Sequence, residues 1–396
     1  IIFLICCRYN HSLVYLLTLL ERNMALIAGY ARSPFTPAKK GQLAKTRSDE
    51  IASQVIDKLL SDLSIDGSSI DDLLVGCAFP EAEQGYNMAR IIVFLSELPE
   101  VVPGATINRF CGSSMQAVQD AATKIDCVLA DAIIAGGVES MSRVPMTGFN
   151  PMPNPELQSN EMTSMGTTAE NVSKVYGIGR EEQEEFAVRS QELASSASEA
   201  GLFSSEIVPI HTQEGVVYAD GCIRSETTIE ILKGLRPSFD VNGTVTAGTS
   251  SPLTDGAAFV LVCSDEYAKR NNLAALARVK SASVTGCAPE IMGIGPVGAT
   301  KKALDKAGLS LDDIDIIELN EAFAAQSLAV IAELGIDINK LNLEGGAIAL
   351  GHPLGASGAR IIGKAAQLLA RSEGSYALAT LCVGGGMGMA TVLQRV

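Results

Sequence analysis

The chain has 396 residues, enough to bury a large core and to form two or three units. A net charge of −15 argues against a nucleic-acid or anionic-membrane partner, and an anionic ligand would need a local basic pocket set against that field. Hydrophobic content of 47% with 37 glycines fits a compact α/β protein, and nine scattered cysteines without a Cys-x-x-Cys pair argue for reduced thiols in a cytosol-like compartment and against a zinc site.

Residues 1–23 differ in character from the remainder of the chain. Two apolar blocks, Ile1–Cys7 and Leu13–Leu20, flank the polar run Arg8–Ser12, a pattern of neither a signal peptide nor a spanning helix. We read Met24 as the natural start, the preceding residues as a doubtful extension from upstream translation, and no organelle presequence. A strand begins at Met24–Ile27. From Asp49 the apolar residues Ile51, Val55, Ile56, Leu59, Leu60 and Leu63 fall on one face of a helix. A turn at Gly67–Ser69 precedes a buried strand over Ile70–Gly76, with an acidic start at Asp71-Asp72.

Next comes Asn108-Arg109-Phe110-Cys111-Gly112-Ser113-Ser114, between a β-prone Thr106-Ile107 and a helical Met115–Ile125. Cys111 therefore sits on a tight strand-to-helix turn, where Gly112 allows close backbone approach. Free N–H groups at a helix N-terminus favour thiolate over thiol, which makes Cys111 a candidate nucleophile. A buried structural cysteine is the other reading, and this stretch alone leaves both open. Asp131–Gly137 reads as a central apolar strand ending in a glycine turn.

Residues 141–253 are of another character. Val144–Pro155 is irregular, Arg180–Gly201 is a polar helix with a glycine stop, and Gly243–Ser251 is rich in hydroxyl and backbone donors. We read this segment as an insertion lying over the site. The second half then repeats the plan of the first. Gly308–Ile314 mirrors Gly67–Leu73 at an offset of 241 residues, and the same offset carries Cys111 onto His352 in Gly351-His352-Pro353. A helix over Ala359–Leu369 and a strand over Tyr376–Leu381 come after it, ending in Cys382-Val383-Gly384-Gly385-Gly386. Two copies packed about a pseudo-twofold axis would bring Cys111 and His352 face to face.

His352, one of three histidines, is the natural base and ion-pair partner for a nucleophilic thiol; the plainer alternative is a hydrogen-bonded turn residue. Cys382 reads either as a small buried strand end or as a second thiol doing acid–base work, with the glycine N–H groups as an oxyanion hole. Asn320, in Asn320-Glu321-Ala322-Phe323 after the strand Ile316–Leu319, could hold a water or an oxyanion, or cap a helix that Glu321 opens.

Four blocks, Asn108–Ser114, Asn320–Phe323, Gly351–Gly355 and Cys382–Gly386, together resemble the thiolases in order, and the resemblance runs from about Met24 to the C-terminus. It implies an α/β fold of two duplicated β-α-β-α-β-α-β-β halves in a five-layered α-β-α-β-α core with an inserted loop domain. The implied boundaries are 24–140 for the N-terminal half, 141–253 for the loop domain, 254–274 for the return to the first half and 275–396 for the C-terminal half. The resemblance further implies an acyl-CoA and CoA-using enzyme, dimeric or tetrameric, in which CoA is a co-substrate and no cofactor is permanently bound.

Carried over by resemblance, Cys111 is the acylated nucleophile, His352 activates it, and Cys382 handles the α-proton and the incoming CoA thiol. One oxyanion hole takes His352 with an Asn320-held water; the other takes the N–H groups of Cys111 and Gly384. Ser251 lies near the pantetheine, Phe323 and Met165 line the acyl end, and Arg224 contacts the nucleotide end of CoA or is simply solvated. Arg109-Phe110 and Ser114-Met115-Gln116 look more like degradative 3-ketoacyl-CoA thiolases, as does Ser164 where biosynthetic members usually carry histidine. Thr167–Asn171 looks biosynthetic instead. The expectation is degradative thiolysis in fatty-acid β-oxidation in the cytoplasm, beside a hydratase/dehydrogenase subunit. The alternatives are a biosynthetic acetyl-CoA acetyltransferase and a catalytically silent CoA-binding subunit.

Overall fold

A computed structural model describes residues 24–157 and 163–396, so the reading of residues 1–23 lies outside it. The first half contributes β1 (Leu26–Arg32), α1 (Ser48–Leu63), β2 (Asp72–Gly76), α2 (Met88–Leu95), β3 (Gly104–Ile107), α3 (Ser113–Asp126), β4 (Ala132–Ser140) and, after the insertion, β5 (Thr254–Cys263). Within the insertion lie α4 (Met165–Tyr176) and α5 (Arg180–Glu199). The second half contributes β6 (Ala277–Gly286), α6 (Gly295–Ala307), β7 (Ile316–Leu319), α7 (Ala324–Leu334), α8 (Leu354–Arg371), β8 (Tyr376–Val383) and β9 (Met387–Gln394).

The strands follow one path, β7-β8-β9-β6-β1-β5-β4-β2-β3. It reads as two copies of one arrangement joined where β1 meets β6, through Leu26 opposite Arg278 and Ile27 opposite Ala277. Leu341 completes the second copy by bridging Ile317 in parallel, as β3 pairs with β2.

Side-chain alternation along the strands separates the layers. Leu74, Ile133, Ala135, Val260 and Leu381 point inward with α3 and α8 into one cluster. Leu73, Val75, Ile134 and Leu261 face α1 and α2, and Ile317, Leu319, Leu378 and Val392 face α6 and α7. The result is five layers, with α3 and α8 as the central one. These two helices touch closely: the Ala359 N–H donates to Ser114 Oγ at 2.9 Å, and a Cβ on Gly358 would sit 2.3 Å from the Met115 nitrogen.

The duplication is present, with a shift in its register. The helices α3 and α8 start at Ser113 and Leu354, which preserves the Cys111–His352 offset of 241. The acidic strand starts do not correspond as Asp71-Asp72 with Asp312-Asp313. Asp71 receives the N–H groups of Asp131 and Ala132, while Asp315 receives those of Ser375 and Tyr376. Asp71 and Asp315 are therefore the equivalent pair, three residues out of the motif alignment. The β4 strand also runs further than its apolar pattern indicated. Gly136 and Gly137 lie inside it, because a Cβ there would strike Ala258 O at 2.2 Å or Gly355 O at 2.1 Å.

Candidate active site

The loop between β3 and α3 is knitted by its own sequence. Asn108 Oδ1 accepts from the Phe110 N–H at 2.8 Å, and Ser113 Oγ accepts from the Arg109 N–H at 2.9 Å while donating to Phe110 O. Phe110 takes φ of +44°, a left-handed conformation uncommon outside glycine. Gly112 has no room for a side chain, since a Cβ would lie 2.5 Å from Met389 Sδ. Cys111 is presented buried at the turn, as its loop pattern predicts.

The equivalent loop of the second half presents His352. Gly351 takes φ of +104° with Thr254 Oγ1 against it, and that hydroxyl accepts from the His352 N–H at 3.1 Å. Ser357 Oγ donates to Pro353 O at 3.0 Å and lies 2.5 Å from His352 Nδ1. With the hydroxyl donating to Pro353 O, the tautomer that fits this pair carries its proton on Nδ1 and its lone pair on Nε2. Asn320 Nδ2 lies 3.4 Å from that Nε2, and Asn320 Oδ1 is buried without a partner among the described residues.

Electrostatics overturn one expectation. Burial pushes the Cys111 thiol up to about 11, with Glu139 adding to the rise, against the pull of the Gly384 and Cys111 N–H groups. Burial and then the Arg360 charge push His352 down to about 3. The resting pair at neutral pH is thus thiol and neutral imidazole, without the anticipated thiolate–imidazolium pair, because desolvation outweighs the helix N-terminus. Cys382, at the end of β8, is raised further, by burial first and then by the neighbouring Cys111 thiol.

Cys111, Cys382 and Gly384 are thus within electrostatic or hydrogen-bonding reach of one another, and His352 is paired with Asn320. Phe323 and Met165 share an apolar cluster with Cys382. Ser251 donates from both N and Oγ to Ala322 O at 3.0 Å, beside the bridge that pairs Ser250 with Phe323. Arg224 is exposed; its backbone N–H donates to Gln191, and no hydrogen bond or ion pair ties its guanidinium to these residues. Glu321 does not open a helix. It is buried and accepts from Ser190, Asn342 and the Ile348 N–H, and α7 begins only at Ala324.

Sequence reasoning passed over Ser357, Phe239, whose ring meets Phe323 edge-on at 5.9 Å, and Glu139. Only Glu139 left a signal, as an acid closing an otherwise apolar strand.

The duplicated fold, with two neighbouring buried thiols and inward N–H groups on one side and a buried imidazole on the equivalent loop of the second half, points to the class of acyltransferases. Residues 25–266 match the thiolase N-terminal domain and residues 273–395 the thiolase C-terminal domain, and the chain belongs to the thiolase family. It is 46% identical over 386 residues to the 3-ketoacyl-CoA thiolase of Bacillus subtilis (strain 168), covering 93% of this chain and 99% of that protein. The structure is similar to the Bacillus anthracis acetyl-CoA acetyltransferase, with 38% identity, TM-score 0.88 and coverage of 95% of this chain and 99% of that one. It is also similar to human mitochondrial 3-ketoacyl-CoA thiolase in complex with CoA, with 37% identity, TM-score 0.88 and coverage of 96% and 99%.

Proposed function

We propose that the chain cleaves 3-ketoacyl-CoA with free CoA, giving acetyl-CoA and a shortened acyl-CoA, as a degradative thiolase of fatty-acid β-oxidation. The observation that carries this reading is the fixing of the His352 ring, with Nδ1 2.5 Å from Ser357 Oγ and Nε2 3.4 Å from Asn320 Nδ2; assigned its proton on Nδ1, the neutral imidazole offers Nε2 as base to a neutral thiol. In the first step Cys111 Sγ attacks C3 as His352 Nε2 takes the thiol proton. The Cys111 and Gly384 N–H groups hold the oxyanion. The C2–C3 bond then breaks; its electron pair goes to C2, and the enolate of acetyl-CoA takes its proton from Cys382. His352 and a water on Asn320 Oδ1 support the enolate oxygen.

In the second step the Cys382 thiolate takes the proton of the incoming CoA thiol, whose sulfur attacks the acyl-Cys111 thioester. Cys111 leaves and regains its proton from His352. A thiol raised as far as Cys382 suits both duties, because it stays protonated until an enolate is present and is a strong base afterwards. Covalent division makes two easier steps of one hard one.

CoA is co-substrate here, with Ser251 toward the pantetheine, Met165 and Phe323 at the acyl end and Arg224 toward the nucleotide. The segment 141–253 is the cover over them. In the stretch that looks biosynthetic, Glu170 accepts from the Thr244 and Val245 N–H groups, and Asn171 donates to Glu290 O. Seven free cysteines among the described residues fit a reducing cytoplasm. A homo-oligomer, and a hydratase/dehydrogenase subunit supplying the 3-ketoacyl-CoA, complete the proposal.

The test is CoA-dependent thiolysis of acetoacetyl-CoA and 3-ketohexadecanoyl-CoA, with Cys111→Ala as control. Preference for the long chain, abolished in Cys111→Ala, is the expected result. Activity confined to acetoacetyl-CoA would move the chain to the biosynthetic class. Binding of CoA without activity on either would leave a silent subunit.

A further inference from the structure

Glu139, the last residue but one of β4, lies fully inside the molecule, 1% exposed, and no step of the thiolysis uses it. Its surroundings are entirely donors. Oε2 accepts from the Ala78 N–H at 2.7 Å and the Gly355 N–H at 2.9 Å. Oε1 accepts from the Phe79 N–H at 3.2 Å and Gln84 Nε2 at 2.9 Å, with the Cys77 thiol at 3.6 Å. Gln84 is itself buried and held by the Ser140 N–H on its Oε1 and by Phe79 O on its Nε2. A carboxylate is the one side chain that satisfies such a set, since it accepts at both oxygens and donates at neither.

The segments so joined are informative. Gly355 stands in the first turn of α8, three residues after His352, where a negative charge is also favoured by the helix dipole. Phe79 places its ring 6.0 Å from that of Phe110, the residue before Cys111. One carboxylate therefore fastens the His352 loop of the second half to the loop behind the Cys111 turn of the first. The backbones meet there too closely for slack, since a Cβ on Gly355 would lie 2.7 Å from Val138 O and 2.8 Å from Glu139 Oε2.

We propose that Glu139, braced by Gln84, is a positioning residue that sets the placement of His352 against Cys111 across the two halves. This rests on the reading of Cys111 as nucleophile and His352 as base. The arrangement has a chemical cost that makes it recognisable: the Glu139 charge also disfavours the Cys111 thiolate. The groups bearing on that thiol are Glu139 from β4, Cys382 from β8 and the Gly384 and Cys111 N–H groups, together with His352, its base in the proposed mechanism, which burial and then Arg360 hold neutral. Removing the charge should thus make Cys111 easier to ionise while making the enzyme slower.

The experiment compares Glu139→Gln and Glu139→Asp with the full-length wild type. Three quantities are read: thiolysis kcat and KM, the pH dependence of Cys111 inactivation by iodoacetamide, and the stoichiometry of that titration. Glu139→Gln should lower kcat about 10- to 100-fold with little change in KM, as a small misplacement does. Its inactivation profile should shift to lower pH. Glu139→Asp keeps the charge and shortens the reach, so kcat should fall while the profile stays put.

Unchanged kcat in both folded variants would overturn the proposal. So would a loss of kcat that merely tracks the fraction of titratable Cys111, which is the mark of a structural role. If Glu139→Gln does not fold, Glu139→Asp and Gln84→Met decide by the same kcat criterion. Wild-type activity and its loss in Cys111→Ala, run alongside, separate failure of this proposal from failure of the assignment beneath it.

Discussion

At the scale of single residues, the site is governed by desolvation. His352 has a folded value of about 3 against about 6.5 in an unfolded chain. A depressed histidine stabilises the fold fully above its unfolded value and loses that contribution as pH falls through the interval toward 3. The slope is about 1.4 kcal/mol per pH unit. Glu318, raised to about 7, and Asp57, raised to about 6, act with the opposite sign, gaining stability as pH falls from those values toward the ordinary carboxyl range. Total stability thus mixes the two, and a comparison with His352→Asn isolates the histidine. Between pH 7.5 and 5, the melting temperature of His352→Asn should rise relative to the wild type. A constant difference across that range would mean that the imidazole is solvated. The same geometry places the acid limb of kcat/KM for the free enzyme below pH 5, and an inflection near 6.5 would contradict it.

At the scale of elements, periodicity located the principal helices and strands, because one buried face leaves a regular apolar trace. It placed Cys111 and His352 on equivalent turns because both are short loops before helices of the same duplicated unit. It misread Gly136-Gly137 as a turn, since glycine spacing does not tell a reversal from a close approach of backbones. It could not see pairings between distant segments, and the clearest of these joins the insertion to the core. Arg32, at the end of β1, is fully buried and bonds Glu206 at 2.7 Å and both Asp220 oxygens at 2.7 and 2.8 Å. Lys364 on α8 also meets Glu206, and Glu344 at 2.7 Å. Two acids of the loop segment thus depend on cations of the core. Arg32→Met would leave Glu206 half-paired and Asp220 unpaired inside the protein, and the expected cost is about 3–5 kcal/mol in chemical denaturation. A loss under about 1 kcal/mol would show that water reaches the cluster.

At the scale of the whole molecule, duplication produces two sheet edges that are equivalent in topology and different in cover. The second-half edge ends at Leu341, which is buried, and Arg189 of α5 donates to Ile338 O and Leu341 O at 2.7 Å. The first-half edge is β3, which among the described residues is paired on one side only, with β2. Around it Tyr86, Phe94, Leu95 and Val101 are exposed, the first at 97% and the last at 80%. An open edge flanked by apolar side chains is a template for another strand, and a second copy of the chain supplies an identical one for an antiparallel, twofold pairing. This asymmetry is the physical support for the proposed homo-oligomer. It gives a test at the level of mass. Phe94→Glu combined with Val101→Glu should convert the oligomer to monomer in light scattering coupled to size exclusion, with the far-ultraviolet dichroism retained. An oligomer of undiminished mass would move the interface to another face, and a monomeric wild type would remove the oligomer from the proposal altogether.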